Sequence, residues 1–294
     1  MSGPVLLYGV GAAKAGTSWL YRYLHDREDC CLPAIKELHY WNTFDAKPQA
    51  RQVKTFRRQI AQFHVRRADA LAGGRPWQVA NLDRQIDEMG ELIAVLEDRR
   101  SDHGPYRDFL MAQSGEAKVV ADITPAYGLL PSEGLKEMAQ SASDVRFLLL
   151  LRDPVARLWS HARMLAERRG GDEPLEERAE RILNRVMRGG ETHIANRGNY
   201  AAITARLEAV VPEGRRLIVF TEDIWDGPGR AAICTFLGLP DQPGPDRQIN
   251  VGPAVEIPSD RRRAVATFLA PHYRWAEERF GRLPDAWARH MEMV

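Results

Sequence analysis

The run Leu6-Leu7-Tyr8-Gly9-Val10-Gly11-Ala12-Ala13-Lys14-Ala15-Gly16-Thr17-Ser18-Trp19-Leu20 constrains this chain more than any other. It reads as a buried strand, a loop of small residues and the start of a helix. Small residues let backbone N–H groups close on a phosphate-like group, and a helix N-terminus adds partial positive charge. Lys14 adds a full charge, and Thr17 and Ser18 add hydroxyl donors. The same residues also fit an ordinary tight turn. Two familiar loops fail on spacing. The nucleoside-triphosphate loop places Lys directly after its last Gly, whereas Lys14 precedes Gly16 by two residues. The dinucleotide fingerprint begins at Gly9 and Gly11, but its third Gly falls on Lys14.

The order Lys-x-Gly-Thr-Ser-Trp resembles the 5′-phosphosulfate loop of sulfotransferases that use 3′-phosphoadenosine 5′-phosphosulfate (PAPS). The resemblance implies a P-loop-like, three-layer α/β fold with a central parallel sheet flanked by helices. It also implies a donor site at Lys14, Ala15, Gly16, Thr17, Ser18 and Trp19. Lys14 would stand beside the bridging oxygen, and Trp19 would either stack on adenine or pack in the core.

A second junction strengthens the likeness. The apolar run 145–151 leads into Arg152-Asp153-Pro154-Val155-Ala156-Arg157-Leu158-Trp159-Ser160. Arg at a strand end and Ser about two turns into a helix opened at Pro154 can converge on one phosphate. This pattern resembles the family's 3′-phosphate site, which implies that role for Arg152 and Ser160. Farther along, Asn250 and Gly252 fall where family members place a loop over the nucleotide's adenosine end. Arg261, Arg262 and Arg263 follow, as cofactor contacts or as surface charge.

Ile35-Lys36-Glu37-Leu38-His39-Tyr40-Trp41 separates subtypes. It resembles the Lys-Glu-x-His-aromatic segment of heparan sulfate-type carbohydrate sulfotransferases, in which the Glu is the expected general base. If extended, Glu37 and His39 share a face. Glu37 is expected to be the base, with its pKa raised by partial burial, and His39 is the second candidate. A solvated charged loop followed by core aromatics fits the same residues. Asp122-Ile123-Thr124-Pro125-Ala126-Tyr127 departs from the heparan-type Glu-Lys-Thr-Pro-x-Tyr, losing the basic residue at Ile123. That loss argues against a highly sulfated glycan; the Glu-x-His segment implies a carbohydrate or glycosylated small molecule as the expected acceptor, with lipid, peptide tyrosine and polyketide hydroxyls as the alternatives. Tyr40, Trp41, Trp77 and Tyr127 either stack on sugar faces or pack in the core.

The rest of the chain sets outer bounds. At 294 residues and 44% hydrophobic content it can bury one large core, and one domain spanning 1–294 is expected. A formal net charge of +1 gives no reason to infer a nucleic-acid partner. Cys30, Cys31 and Cys234 are too few and too irregular for a disulfide framework or zinc site, which suits a reduced cytoplasm. With no apolar run of about 18 residues and no signal-like start, a soluble, bacterial-type, cytoplasmic protein is expected. No metal is expected, since Lys14 and Arg152 supply positive charge. Strands are predicted near 4–10, 118–122, 145–151 and 216–221. Helices are predicted near 17–26, 81–98, 105–114, 132–141, 154–168, 173–188, 198–210, 227–237 and 260–280. Segment 45–115 reads as a helical insertion that walls the acceptor site or simply packs. A nucleotide-dependent kinase and a noncatalytic nucleotide or polysaccharide binder are the competing classes.

Overall fold

The computed structural model describes residues 3–98, 102–225, 227–245 and 255–294. Five parallel strands form one sheet: β1 (Val5–Gly11), β2 (Cys30–Cys31), β3 (Val119–Asp122), β4 (Val145–Leu151) and β5 (Arg216–Phe220), in the order β2-β3-β1-β4-β5. β1 is central, with Leu6 opposite Val120 of β3 and Val145 of β4. Leu6, Leu7, Tyr8 and Val10, like Leu148 through Leu151, are fully buried. Strands covered on both faces need such continuous apolar runs, which is why β1 and β4 are plain in the sequence.

The helices are α1 (Thr17–His25), α2 (Ala46–Ala72), α3 (Pro76–Glu97), α4 (Gly104–Met111), α5 (Ser132–Ala139), α6 (Pro154–Arg169) and α7 (Leu175–Met187). There follow α8 (Thr192–Asn196), α9 (Tyr200–Val210), α10 (Thr221–Trp225), α11 (Pro228–Leu237), α12 (Ser259–Phe280) and α13 (Asp285–Met291). The architecture is the expected α/β one, a parallel sheet flanked by helices. The chain leaves β1 towards β2 and leaves β4 towards β5. The crevice between their carboxyl ends is therefore the switch point at which open parallel sheets bind ligands.

Several elements differ from the sequence-based expectation. β2 is a two-residue edge strand held by pairing with Val119 and Val120 rather than by its own propensity. The predicted helix near 198–210 is α9, and a short helix that was not predicted, α8, precedes it. The insertion resolves into a hairpin, α2 against α3, closed by Gly73-Gly74-Arg75 and crossed by Arg67–Asp83 and Arg57–Glu97 ion pairs. α2 buries only Val53, Phe56 and Ala70, so its apolar stripe is too sparse to mark it as a separate helix. None of its residues lines the main cavity, nor does any residue of α3. The hairpin instead braces residue 34, whose N–H donates to Glu88 (2.5 Å) and whose carbonyl accepts from Gln85 (3.2 Å).

The segment after β3 is structural. Buried Asp122 accepts hydrogen bonds from Tyr106, Tyr127 and Thr124 at 2.8, 2.7 and 2.6 Å. Ile123 is buried against Gly9, where an added Cβ would lie 2.6 Å from its Cδ1. Trp41 and Tyr127 are core, Tyr40 stacks on Tyr106 at 3.9 Å between centroids, and Trp77 is 70% exposed.

Candidate active site

One cavity of about 470 Å³ opens at the crevice beyond β1 and β4. Its floor is the β1–α1 loop. Gly16 caps α1 with φ 89°, a left-handed conformation that suits glycine, and no side chain caps the helix. An added Cβ there would meet Thr221 Cγ2 at 2.9 Å. The first amides of α1 therefore lack a side-chain partner of their own, the arrangement that favours an anion. Thr221 Oγ1 donates to the Ala15 carbonyl at 2.7 Å. Lys14, Gly16, Thr17, Ser18 and Trp19 line the cavity, while Ala15 is fully buried outside its lining.

The second wall comes from the β4–α6 junction. Arg152 Nη1 donates to the Lys14 carbonyl at 3.1 Å, so the two strand ends are joined directly. Tyr200 fixes Arg152 in turn: its hydroxyl donates to the Arg152 carbonyl (2.6 Å) and accepts from the Arg152 N–H (3.2 Å). Asp153 caps α6 by accepting from the Ala156 N–H at 2.7 Å. Its other oxygen contacts the Tyr273 hydroxyl and His290 Nδ1, each at 2.9 Å. Ser160 lines the cavity two turns along α6, as the Arg-to-Ser spacing required.

The third wall carries Lys36, Glu37 and His39. The segment is not extended, because Glu37 and His39 have φ of 66° and 57°. The two side chains still meet, with His39 Nε2 3.7 Å from Glu37 Oε2. Lys36 Nζ donates to Glu37 Oε1 at 3.0 Å and to Thr17 Oγ1 at 3.4 Å, bridging base segment and cradle. Among the described residues, Lys14, Glu37 and His39 are the non-glycine positions with positive φ. Such conformations cost of order 1–3 kcal/mol each and cluster at functional sites.

The electrostatics correct one expectation. Burial pushes the Glu37 carboxyl up, but the His39 hydrogen bond and the Lys36 ammonium outweigh it and hold the pKa at about 2. Glu37 is thus ionised but weakly basic. The Lys14 ammonium is held below the usual lysine value by burial, then by the charges of Arg152, Arg168, Lys36 and Arg163.

Trp19 is buried, stacked on Tyr23 at 4.9 Å, and donates to the Pro245 carbonyl at 3.3 Å, so one of its faces is already covered. Arg261 pairs with Glu180 at 3.5 Å. Asn250 and Gly252 lie outside the described residues. Sequence reasoning missed Lys36, His161, Arg168, His193 and Arg197 as lining residues. Lys36 sits in the Lys-Glu-x-His segment, and His161 and Arg168 sit on α6 with Ser160, so these three had a local signal; nothing local marks His193 or Arg197.

No protein-family model and no curated protein matches the chain. A sulfotransferase from Alicyclobacillus acidocaldarius matches in structure at 21% identity and TM-score 0.60, over 98% of this chain and 100% of that one. The sulfotransferase domain of the Synechococcus PCC 7002 olefin synthase matches at 16% identity and TM-score 0.46, over 86% and 82%. The sulfotransferase domain from the curacin biosynthetic pathway matches at 16% and 0.43, over 83% and 76%. The first of these likenesses shows a shared fold. No helix among the described residues is long and apolar enough to cross a membrane.

Proposed function

We propose that this chain is a cytoplasmic, single-domain sulfotransferase that moves a sulfuryl group from PAPS to a hydroxyl or amine of a carbohydrate or glycosylated small molecule. The observation that carries this reading is the convergence on one cavity of the Lys14 loop, the Arg152–Ser160 pair and the Glu37–His39 pair. The uncapped α1 terminus and Lys14 suit the donor's 5′ phosphosulfate, and Arg152 with Ser160 suits its 3′-phosphate.

PAPS supplies an activated sulfuryl group on a phosphate leaving group; the S–O bond to phosphate breaks as the acceptor oxygen or nitrogen bonds to sulfur. Glu37 takes the acceptor's proton, and Lys14 stabilises charge developing on the departing phosphate. Lys36 already reaches Thr17, so an anion held in the cradle competes with Glu37 for its charge and makes that carboxylate more basic when transfer is due. His39 orients Glu37 and is the second candidate for the base. A kinase reading has less support, since Glu37 is the one carboxylate among the described lining residues and is engaged by Lys36 and His39.

Calorimetric titration with 3′-phosphoadenosine 5′-phosphate (PAP), with ATP and Mg²⁺ as control, tests the reading. Selective PAP binding that weakens in Lys14→Ala is expected; binding of ATP and Mg²⁺ alone would overturn it. Glu37→Gln should retain PAP and lose roughly a hundredfold or more in transfer, the usual scale of general-base removal. Transfer that survives in Glu37→Gln but is lost in His39→Gln, with PAP binding kept, would hand the role to His39.

A further inference from the structure

The α6 wall of the cavity holds more positive charge than the donor contacts use. Arg157, His161, Met164 and Arg168 fall at i, i+4, i+7 and i+11, one stripe of α6. At the buried end the Arg157 guanidinium lies against Gly198, where an added Cβ would meet its Cζ at 2.4 Å. His161 is 4% exposed, lines the cavity, and has no hydrogen-bond partner for Nδ1. Facing this stripe, His193 and Arg197 also line the cavity.

The counter-charges lie elsewhere. Glu191 is buried and engaged by Arg169 (2.9 Å), Arg185 (3.4 Å) and His193 (3.6 Å). Glu37 is held on the opposite wall by Lys36. Arg168 and Arg197 have neither ion pair nor side-chain hydrogen bond among the described residues. Position separates them from the donor contacts: eight residues of α6 part Arg168 from Ser160, about 12 Å of helix rise. Arg168 nevertheless lines the same cavity as Lys14.

We infer that Arg168 and Arg197, with His161 beneath them, form a subsite for an anionic group on the acceptor, a carboxylate or phosphate monoester attached near the hydroxyl or amine that is sulfated. This rests on the sulfotransferase reading for which end of the cavity receives the acceptor. It also relocates the acceptor-side charge: Ile123 packs against Gly9 and does not line the cavity, whereas Arg168 on α6 and Arg197 after α8 do.

Three probes test the subsite on the full-length, PAP-saturated protein by calorimetry: 4-nitrophenyl β-D-glucuronide, 4-nitrophenyl phosphate and the neutral 4-nitrophenyl β-D-glucoside. At least one anionic probe should bind about tenfold or more tighter than the glucoside, and Arg168→Gln/Arg197→Gln should abolish that preference while changing PAP affinity by less than about threefold. Equal binding of charged and neutral probes, binding of none, or a preference that survives in the double variant would overturn the proposal. Circular dichroism and the PAP titration confirm that the variant is folded. If the wild type does not bind PAP, the donor reading fails by itself, and the same probes on the ligand-free protein still report on the subsite.

Discussion

The two strand-to-helix junctions that meet at the cavity solve one problem in opposite ways. At β1–α1 a left-handed Gly16 and the lack of a side-chain cap leave helix amides for a ligand. At β4–α6 Asp153 occupies that position, accepting from the Ala156 N–H, so anion binding there must come from the Arg152 and Ser160 side chains. A backbone site needs small residues packed tightly, whereas a side-chain site needs a scaffold that holds long residues in place. The second junction accordingly draws partners from far along the chain: Tyr200, Glu222, Tyr273 and His290.

Removing that scaffold should have the largest effect. Asp153→Ala deletes the α6 cap and leaves Tyr273 and His290 without their acceptor, for a loss of about 3 kcal/mol of folding stability by denaturant titration. A loss below about 1 kcal/mol would mean the junction is not held as described. Arg152→Ala comes next, since it removes a charged phosphate donor and the clamp on the Lys14 carbonyl together. PAP affinity should fall by roughly a hundredfold, about 2.7 kcal/mol, with the melting temperature little changed.

These two effects also mark what the sequence could and could not reveal. Both junctions were readable, one because close backbone approach demands Gly and Ala, the other because an Arg-to-Ser spacing on a helix fixes a face. The supports of the second were not: His290 reaches Asp153 across 137 residues, and no local pattern announces it. The low Glu37 pKa was equally hidden, because it depends on left-handed backbone at Glu37 and His39 that turns both towards Lys36 and each other. The α6 wall went unread because Arg168 and Arg197 are ordinary charged residues until α8 brings them to one cavity.

The buried side of the α6 junction makes a pH prediction that the α1 junction does not share. Burial, then the charges of Arg157, Arg197, Lys14 and His193, pushes His161 down to about 3; burial and Arg157 push His272 down to about 4. The unfolded chain takes up these protons below about pH 6.5 and the folded chain does not, so their contribution is complete above that value and is lost as pH falls towards 4 and then 3. Between pH 6.5 and 5 each costs about 2 kcal/mol. His272→Gln should flatten the fall in stability over that window by about half, and an unchanged slope would show that His272 is protonated in the folded state.

The smallest effect separates backbone from side-chain construction most sharply. Gly16→Ala must hold a β-carbon at φ 89° and displace Thr221 Cγ2, for about 1–2 kcal/mol of stability. Thr221→Ser removes the obstructing methyl and keeps the hydroxyl that donates to the Ala15 carbonyl. The double variant should therefore recover PAP affinity lost by Gly16→Ala while keeping part of the stability loss, because the steric conflict is relieved and the left-handed strain is not. Full recovery of both would assign the whole cost to the methyl. Recovery of neither would mean that the α1 cradle tolerates no side chain at Gly16 however much room is made, because the ligand itself needs the space.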